Sequence, residues 1–251
     1  MATSSVKRRS AKILQSDVTV VLIVRDSERY VRDCLPTLIS QRQVRWSVCI
    51  VSDKSTDSTL DIIRSVFNPD GQGVAYLSRK GALSSSRVFL DILKTLQTPY
   101  IAFMESFDRW TSPVTLSTQI KGLQHNRNVL ISLCNAFEYD EATASYPLSF
   151  PEGLISQNSL TDALNAEYAP HLSSLVMRRE AISLLEDIEV PTLLAACAWV
   201  RAFNSAQRLI VPSALSVHVR PLPEMSGSLP SITLLHEAYL KSIKTQTSQT
   251  P

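Results

Sequence analysis

The chain has 251 residues, of which 44% are hydrophobic and 19% are charged, and its formal net charge is +2. This length accommodates one α/β domain with an ample core, and the small net charge argues neither for nor against nucleic-acid binding. No apolar run approaches the roughly 20 residues of a membrane-spanning helix, and the N-terminus lacks the apolar segment of a secretory signal. We therefore expect a cytoplasmic protein without a transmembrane segment. Its four cysteines lie in apolar runs without a Cys-x-x-Cys pair, which is typical of buried free thiols: Cys34, Cys49, Cys134 and Cys197.

The sequence predicts one folded domain with two short polar ends. Residues 1–16 are polar and basic, which indicates a flexible arm, either frayed or contacting a membrane surface, nucleic acid or partner. Residues 17–243 form the predicted domain, and residues 244–251 form a predicted disordered tail.

The first predicted unit is a strand followed by a helix. The continuous apolar run Val18–Val24 is typical of a central parallel strand. Asp26 or Ser27 is predicted to cap the next helix, and Pro36 inside that helix predicts a kink or an early stop. The apolar face of this helix has helical spacing and consists of Tyr30, Cys34, Leu35 and Leu38.

The second unit repeats this pattern and ends its strand in a polar turn. The apolar run at residues 48–51 stops before Asp53, which therefore lies just past the carboxyl end of a buried strand. Open α/β sheets bind nucleotides at such a place. Ser55 or Thr56 is predicted to cap the following helix, with Asp57 in its first turn. The apolar face of that helix consists of Leu60, Ile63 and Val66.

The remaining apolar runs continue the alternation of strands and helices. Further strands are predicted at residues 72–77, 100–104, 129–134, 208–211 and 214–219. Further helices are predicted after residue 86, from Ser112 and Pro113, at 179–185, at 193–199 and at 232–243, with a loop or hairpin at 137–153. This order predicts a single α/β domain with a mixed, mostly parallel sheet flanked by helices and right-handed crossovers.

The turn after the second strand resembles a known family. Residues 51–59, with the sequence V-S-D-K-S-T-D-S-T, resemble the "VDDGSTDNT" turn of the family 2 glycosyltransferases. The resemblance stays in register from Val18 to Trp110 and continues as scattered matches, among them residues 172–179, as far as Ser226. It implies the Rossmann-like GT-A fold and a nucleotide-diphosphate sugar as ligand.

The resemblance also implies which residues contact the nucleotide. Asp53 falls on the nucleotide-binding aspartate, and Arg25 stands where relatives often carry an aromatic residue that stacks on uracil. Arg87 falls on the arginine of the family's "GxGxARN" loop, and it is interpreted as a phosphate or uracil contact or as a solvated helix residue. His218 and Arg220 fall on the "RxHxxSxS" loop that closes on the diphosphate, and they are interpreted as a phosphate cover or as a polar strand end.

Residues 105–110 resemble the family's "LDSDDRW" segment, whose carboxylates hold a divalent cation on the diphosphate. Glu105 replaces the first aspartate and can still bind a metal ion or ribose. Phe107 replaces the second and cannot bind metal, and Asp108 lies one residue out of register. Two interpretations remain open: Glu105 and Asp108 form a displaced site for Mn²⁺ or Mg²⁺, or the chain works without a metal ion.

The general base of the family is the aspartate of an "ED..LW.R" segment, and here it is missing. Trp199 and Arg201 match the second half of that segment, but the acidic pair falls on Leu194 and Ala195. Asp187 belongs to a nearby acidic pair that matches a different turn by spacing. We therefore consider Asp108 and Asp187 as the catalytic carboxylates.

Two functions are consistent with these residues. The first is a divergent glycosyltransferase that binds a nucleotide sugar, a UDP-sugar foremost, and has weakened or lost transfer to an undefined glycan or protein acceptor, because losing a general base costs about 10²–10⁴ in rate. The second is an inactive GT-A module for binding or assembly beside a protein partner such as an active relative. A dinucleotide-dependent oxidoreductase is disfavoured, since the chain has six glycines and no Gly-x-Gly-x-x-Gly after its first strand. We expect no nucleic-acid partner.

Overall fold

The structure is a computed structural model, and it describes residues 16–52, 54–71, 73–78, 86–145, 147–148, 171–185 and 208–220. The strands in these residues are β1 Val18–Val24, β2 Trp46–Ser52, β3 Val74–Ser78, β4 Tyr100–Glu105, β5 Arg109–Trp110, β6 Ile131–Asp140, β7 Leu175–Arg178 and β8 Arg208–Arg220. The α-helices are α1 Glu28–Ile39, α2 Thr59–Val66, α3 Ser86–Thr95 and α4 Thr115–His125, and there are 3₁₀ helices at Leu172–Ser174 and Arg179–Leu185.

The described strands form one mixed sheet in the order β3-β2-β1-β4-β7-β6-β8-β5. The strands β3, β2, β1 and β4 are mutually parallel. Beyond them, β7 runs antiparallel to both β4 and β6, while β8 runs parallel to β6. The prediction of a mixed sheet with flanking helices is therefore confirmed. Its parallel half is the half for which the sequence predicted the most strands and helices in detail.

Alternate side chains of the central strands build a core on each face of the sheet. Val21 and Cys49 point to the face covered by α3, where they join Leu93. Leu22 and Ile50 point to the opposite face, which α1, α2 and α4 cover. Because both faces are buried, the central strands are continuously apolar instead of alternating. The predicted buried free thiols are confirmed for Cys34, Cys49 and Cys134, while Cys197 lies outside the described residues.

Two details of the predicted helices are wrong. Of the kink or early stop predicted at Pro36, the early stop is wrong: the helix α1 continues to Ile39, because Leu35 and Leu38 are buried in the core and outweigh the missing backbone hydrogen bond. The kink stays a prediction. The helix α2 begins at Thr59, so Ser55 and Thr56 do not cap it and Asp57 precedes it.

The loops before α1 and α2 cap each other, which explains why the predicted local caps are absent. The Asp57 carboxylate accepts hydrogen bonds from Glu28 N at 2.9 Å and from Thr59 N at 3.0 Å. The Glu28 carboxylate accepts one from Ser58 N at 3.0 Å. In addition, Ser27 N donates to Thr59 Oγ1 at 2.7 Å, although Ser27 itself makes no side-chain cap. Each helix start thus receives a hydrogen bond from the other segment, and Asp57 in addition caps Thr59 N at the start of its own helix.

Two strands are longer than the sequence indicated. The strand β6 continues from the predicted end at residue 134 to Asp140. Of the two alternatives predicted for residues 137–153, a loop or a hairpin, the hairpin is supported, because Phe137 bridges Leu148 and Asp140 bridges Ser145 in antiparallel pairs. The strand β8 is one strand where two were predicted. Register shifts between Cys134 and Ala136 absorb the interruption in β8, so that the two strands stay paired to their ends. This long ladder carries Glu138 and His218 past the core toward the site described next.

Among the described residues, no helix is long and apolar enough to cross a bilayer. The predicted basic arm lies outside the described residues except for Ser16, and the predicted tail lies outside them altogether.

Candidate active site

The candidate site begins where β4 ends. Ser106 N donates to Ile23 O of the neighbouring strand at 3.0 Å, and Asp108 N donates to Glu105 O at 2.9 Å. This tight turn carries the chain directly into β5. It also places two carboxylates, Glu105 and Asp108, at the carboxyl edge of the parallel half of the sheet, where ligands of open α/β folds bind.

Asp108 is completely buried and accepts three hydrogen bonds. The donors are Ser173 Oγ, His218 Nδ1 at 2.9 Å and Val219 N at 3.3 Å. A buried carboxylate is stable only when its oxygens are satisfied in this way. Asp108 is therefore the centre of the site, although it stands one residue away from the expected ligand position.

Ser173 ties the carboxylate to the end of β4 and to β5. Its hydroxyl donates to Asp108 and also accepts the hydrogen bond of Glu105 N at 3.0 Å. Its carbonyl oxygen accepts the indole N–H of Trp110 at 2.9 Å. The side chain sits in the 3₁₀ helix Leu172–Ser174, just before β7, so the middle strand of the sheet anchors it. Ser173 thereby fixes the turn and Asp108 together.

His218 is held on two sides. One side is the hydrogen bond to Asp108, and the other is the ring of His171, which lies parallel to it at 3.9 Å between centroids and 12° between planes. His171 Nε2 in turn lies 3.3 Å from the carboxylate of Glu138. Glu138 and His218 are register partners in the ladder of β6 and β8. Four segments distant in sequence therefore meet around one imidazole.

The protonation states of the three central groups depend on one another. Burial opposes ionisation of Asp108, but the charge and hydrogen bond of His218 hold the pKa of this carboxyl below its usual range. Burial also disfavours a charged His218, yet Asp108 outweighs it and raises the pKa of His218 to about 9. Burial and then the charge of Asp108 raise the pKa of Glu105 to about 7. At neutral pH the metal-free site thus contains an ion pair beside a carboxyl that ionises easily when a cation approaches, and His218 has to lose one ring proton to become a ligand.

Glu105, Asp108 and His218 fit a divalent cation. Each offers one ligand atom, and these atoms all lie within 4.8 Å of one another. Two carboxylates with one imidazole suit Mn²⁺ better than Mg²⁺, which prefers oxygen ligands. Phe107 is not part of this set, because its ring packs edge-on against Tyr30 at 5.8 Å between centroids. The fold thus supplies the third donor from β8 instead of from residue 107.

The other predicted site residues do not all fall in the described part of the chain. Arg25 is exposed in the loop after β1. Arg87 lies in the first turn of α3 and Arg220 is the last residue of β8, and the structure describes only their backbone. Asp53 and Asp187 lie outside the described residues. The structure therefore brings Glu105, Asp108 and His218 together and leaves the roles of the other five as predictions.

Three residues of this site were missed by sequence reasoning: Glu138, His171 and Ser173. Ser173 lies in a segment that resembles a family strand, but a serine next to a strand carries no chemical signal of its own. Glu138 lies in residues that were predicted as a loop or hairpin, without a functional role. The one available signal was that two of the chain's four histidines do not fall in predicted helices: His171 directly precedes a segment that resembles a family strand, and His218 lies near the end of a predicted strand.

Comparison with known proteins agrees with this architecture. The model of glycosyl transferase family 2 matches residues 19–202. The uncharacterized protein Rv1520 of Mycobacterium tuberculosis is 28% identical over 209 residues, which cover 81% of this chain and 58% of that protein. The chain thus spans less than two thirds of the length of this relative.

Solved glycosyltransferase structures share the fold. S. aureus TarS, residues 1–349 in complex with UDP-GlcNAc, superposes with a TM-score of 0.63 at 16% identity, covering 88% of this chain and 64% of that one. The mannosyltransferase PcManGT of Pyrobaculum calidifontis, in complex with GDP-Man and Mn²⁺, gives 0.60 at 12% identity, covering 97% and 80%. The predicted GT-A fold is confirmed by these neighbours. Since the family model matches most of the sequence, the chain belongs to glycosyl transferase family 2.

Proposed function

We propose that this chain binds a nucleotide-diphosphate sugar, a UDP-sugar foremost, together with a divalent cation held by Glu105, Asp108 and His218. The observation that carries the proposal is the convergence of these three side chains, with ligand atoms within 4.8 Å, at the carboxyl edge of the sheet. Support comes from TarS, which was solved with UDP-GlcNAc, and from PcManGT, which was solved with GDP-Man and Mn²⁺.

The cation site serves the diphosphate part of this ligand. A bound divalent cation neutralises the negative charge that grows on the departing nucleoside diphosphate. Asp108 supplies a permanent negative charge, since its pKa is held below the usual range, while Glu105 gains its charge near pH 7. Asp53 and Arg25 are proposed to hold the base ring at the ends of β2 and β1, and Arg87 and Arg220 to contact phosphate.

Sugar transfer itself is proposed to be weak. An inverting transfer needs a base that removes the proton of the acceptor hydroxyl, and the positions expected to supply it are Leu194 and Ala195. Asp187 is the proposed substitute. Without a well-placed base, the rate falls by about 10²–10⁴.

A second function, a binding or assembly module without transfer, is favoured by two replacements in the sequence. Phe107 stands where relatives have a ligand carboxylate, and Leu194 and Ala195 stand where they have an acidic pair. Both replacements put apolar side chains where relatives have carboxylates, which removes a metal ligand and a base. The two functions share nucleotide binding and differ in turnover.

Calorimetry with UDP-GlcNAc, UDP-glucose and GDP-mannose, each with and without Mn²⁺, tests the shared part of the proposal. We expect binding of at least one donor and tighter binding with Mn²⁺. The variant Glu105→Gln should lower the gain in donor affinity that Mn²⁺ provides by more than about tenfold. Removing a residue that only supports a metal ligand already lowers metal affinity by about tenfold, so removing a ligand should lower it more. Asp33→Asn is the matched control, since Asp33 pairs with Arg109 beside the site without joining the donor set.

Release of UDP or GDP from the same donors separates the two functions. Slow release that disappears in Asp187→Asn supports a transferase with a substitute base. Donor binding without any release supports the binding module. An absence of heat with every donor, with or without Mn²⁺, would contradict both.

A further inference from the structure

One short segment contacts all three cation-site residues without belonging to the donor set, since Ser173 also accepts the hydrogen bond of Glu105 N. Residues 171–174 contain Ser173, whose hydroxyl bonds Asp108, and His171, whose ring stacks on His218. The Ser173 contact is buried, and the stacked rings are largely buried, with side chains of His171 and His218 that are 15% and 14% exposed. The segment therefore acts on the site from one side as a unit.

His171 is itself fixed at both ends. Its carbonyl oxygen accepts hydrogen bonds from Ser174 N at 3.0 Å and from Ser174 Oγ at 2.6 Å. Its ring nitrogen Nε2 faces the Glu138 carboxylate at 3.3 Å. With backbone and ring both anchored, His171 presents a rigid flat surface to its neighbour.

The orientation of the His218 ring depends on two side-chain torsions, χ1 and χ2, and two contacts restrict them. The Asp108 carboxylate fixes where Nδ1 points, at 2.9 Å. The parallel face of His171 fixes the plane of the ring, at 12° between planes. The hydrogen bond alone still allows the ring to rotate about the line from Nδ1 to the Asp108 carboxylate. Without His171 the plane of the ring, and with it the direction of the second ring nitrogen, would therefore no longer be fixed.

We infer that His171, held by Glu138, is a positioning residue that fixes the plane of the His218 ring for cation binding. The inference deepens the proposed function and depends on it, since it assigns a supporting shell to the proposed cation site. Outer-shell partners that orient a ligand typically change metal affinity by 10–100-fold when they are removed.

Two measurements on the same variants test this inference. The first is the affinity for Mn²⁺ in the presence of saturating UDP, followed by the electron paramagnetic resonance signal of free Mn²⁺. The second is the ¹H–¹³C spectrum of the histidine rings in metal-free buffer. The variants are His171→Ala, which removes the stacking ring, and His171→Phe, which keeps a flat ring without the Glu138 contact. The control is His125→Ala, because His125 is an exposed histidine of α4.

We expect His171→Ala to lower Mn²⁺ affinity about tenfold and to shift the ring signals of His218, since the adjacent ring current is lost. His171→Phe should recover most of the affinity, and His125→Ala should change neither measurement. Thermal melting identifies any variant that fails to fold, and His171→Phe keeps the test decisive if His171→Ala does not fold.

The outcomes separate failure of this inference from failure of the proposed function. Wild-type Mn²⁺ affinity in folded His171→Ala overturns the inference alone, whether or not the His218 signals move. Folded His171→Phe as weak as His171→Ala overturns stacking as the cause. Wild-type protein that takes up no Mn²⁺ with UDP overturns the proposed cation site and this inference together.

Discussion

Two regions at the same edge of the sheet are held in opposite ways. The loops after β1 and β2 are tied mostly by exposed hydrogen bonds, such as Glu28 N to Asp57 and Thr56 N to Asp26, across 29 and 30 residues. The hydrogen bond from Ser27 N to Thr59 Oγ1 is the buried exception among those described above. The cation site is tied by buried and largely buried hydrogen bonds between distant segments. Ser173 and His218 reach Asp108 across 65 and 110 residues.

This difference predicts how each region responds to substitution. An exposed hydrogen bond that is lost is replaced by water, so its net contribution is about 1 kcal/mol. A buried network cannot be rescued by water, and removing one member leaves the others unsatisfied. The loops proposed to hold the nucleotide base should therefore tolerate change, and the cation site should not.

The largest effect should come from Asp108→Asn. This change leaves the charged, buried His218 without its counter-ion, and breaking one partner of a buried ion pair costs about 3–5 kcal/mol. The free energy of unfolding in urea, measured at pH 6 with a chelator present, gives the loss directly. Glu105→Gln is the matched control three residues away. Burial and Asp108 raise the pKa of Glu105 to about 7, so this side chain is mostly neutral at pH 6. A neutral glutamine at this position should therefore change the free energy of unfolding very little.

The pH dependence of this loss has a definite sign. Asp108 raises the pKa of His218 to about 9 from an ordinary value of 6.5. The stability that this charge provides is fully present below pH 6.5 and is lost as the pH rises through about 9. The gap between wild type and Asp108→Asn should therefore be widest at pH 6 and smaller at pH 10. An equal gap at both values would show that His218 carries no charge in the folded protein.

An intermediate effect is expected from Ser173→Ala. The change removes a donor to Asp108 and the acceptor of Glu105 N, which leaves two buried polar groups short of a partner and costs about 2–3 kcal/mol. Unfolding in urea measures it. Ser183→Ala, which removes an exposed hydroxyl bonded to Glu180 O, should cost less than about 0.5 kcal/mol. A loss in Ser173→Ala as small as in this control would contradict the buried network.

The same contrast explains which parts could be predicted from the sequence. The parallel half of the sheet and the position of Glu105 at a strand end follow from apolar runs that stop at polar turns, which are local patterns. The turn at residues 51–59 identified the family for the same reason. Each of these features is contained within a few consecutive residues.

The cation site could not be assembled by such reasoning, because its donors come from separate segments. His218 was predicted as a phosphate cover from its motif, and nothing in the spacing connected it to Asp108, 110 residues earlier. The supporting residue Glu138 depends on the ladder of β6 and β8, whose length was underestimated, and His171 comes from yet another segment, just before the 3₁₀ helix Leu172–Ser174. Bulges that keep two irregular strands paired leave little trace in sequence.

The smallest effect that still separates the two regions should come from Asp57→Ala. The change removes the acceptor for Glu28 N and Thr59 N at the starts of α1 and α2, and the loss of such a cap costs about 1–2 kcal/mol. Asp61→Ala is the matched control, because its exposed ion pair with Arg64 is worth less than about 0.5 kcal/mol.

If the two regions are independent, Asp57→Ala should weaken UDP binding measured without metal by calorimetry while leaving the additional affinity due to Mn²⁺ unchanged. Loss of the Mn²⁺ contribution in this variant would show that the loops and the cation site form one coupled unit, because no residue of the donor set contacts Asp57 in the part of the chain that the structure describes.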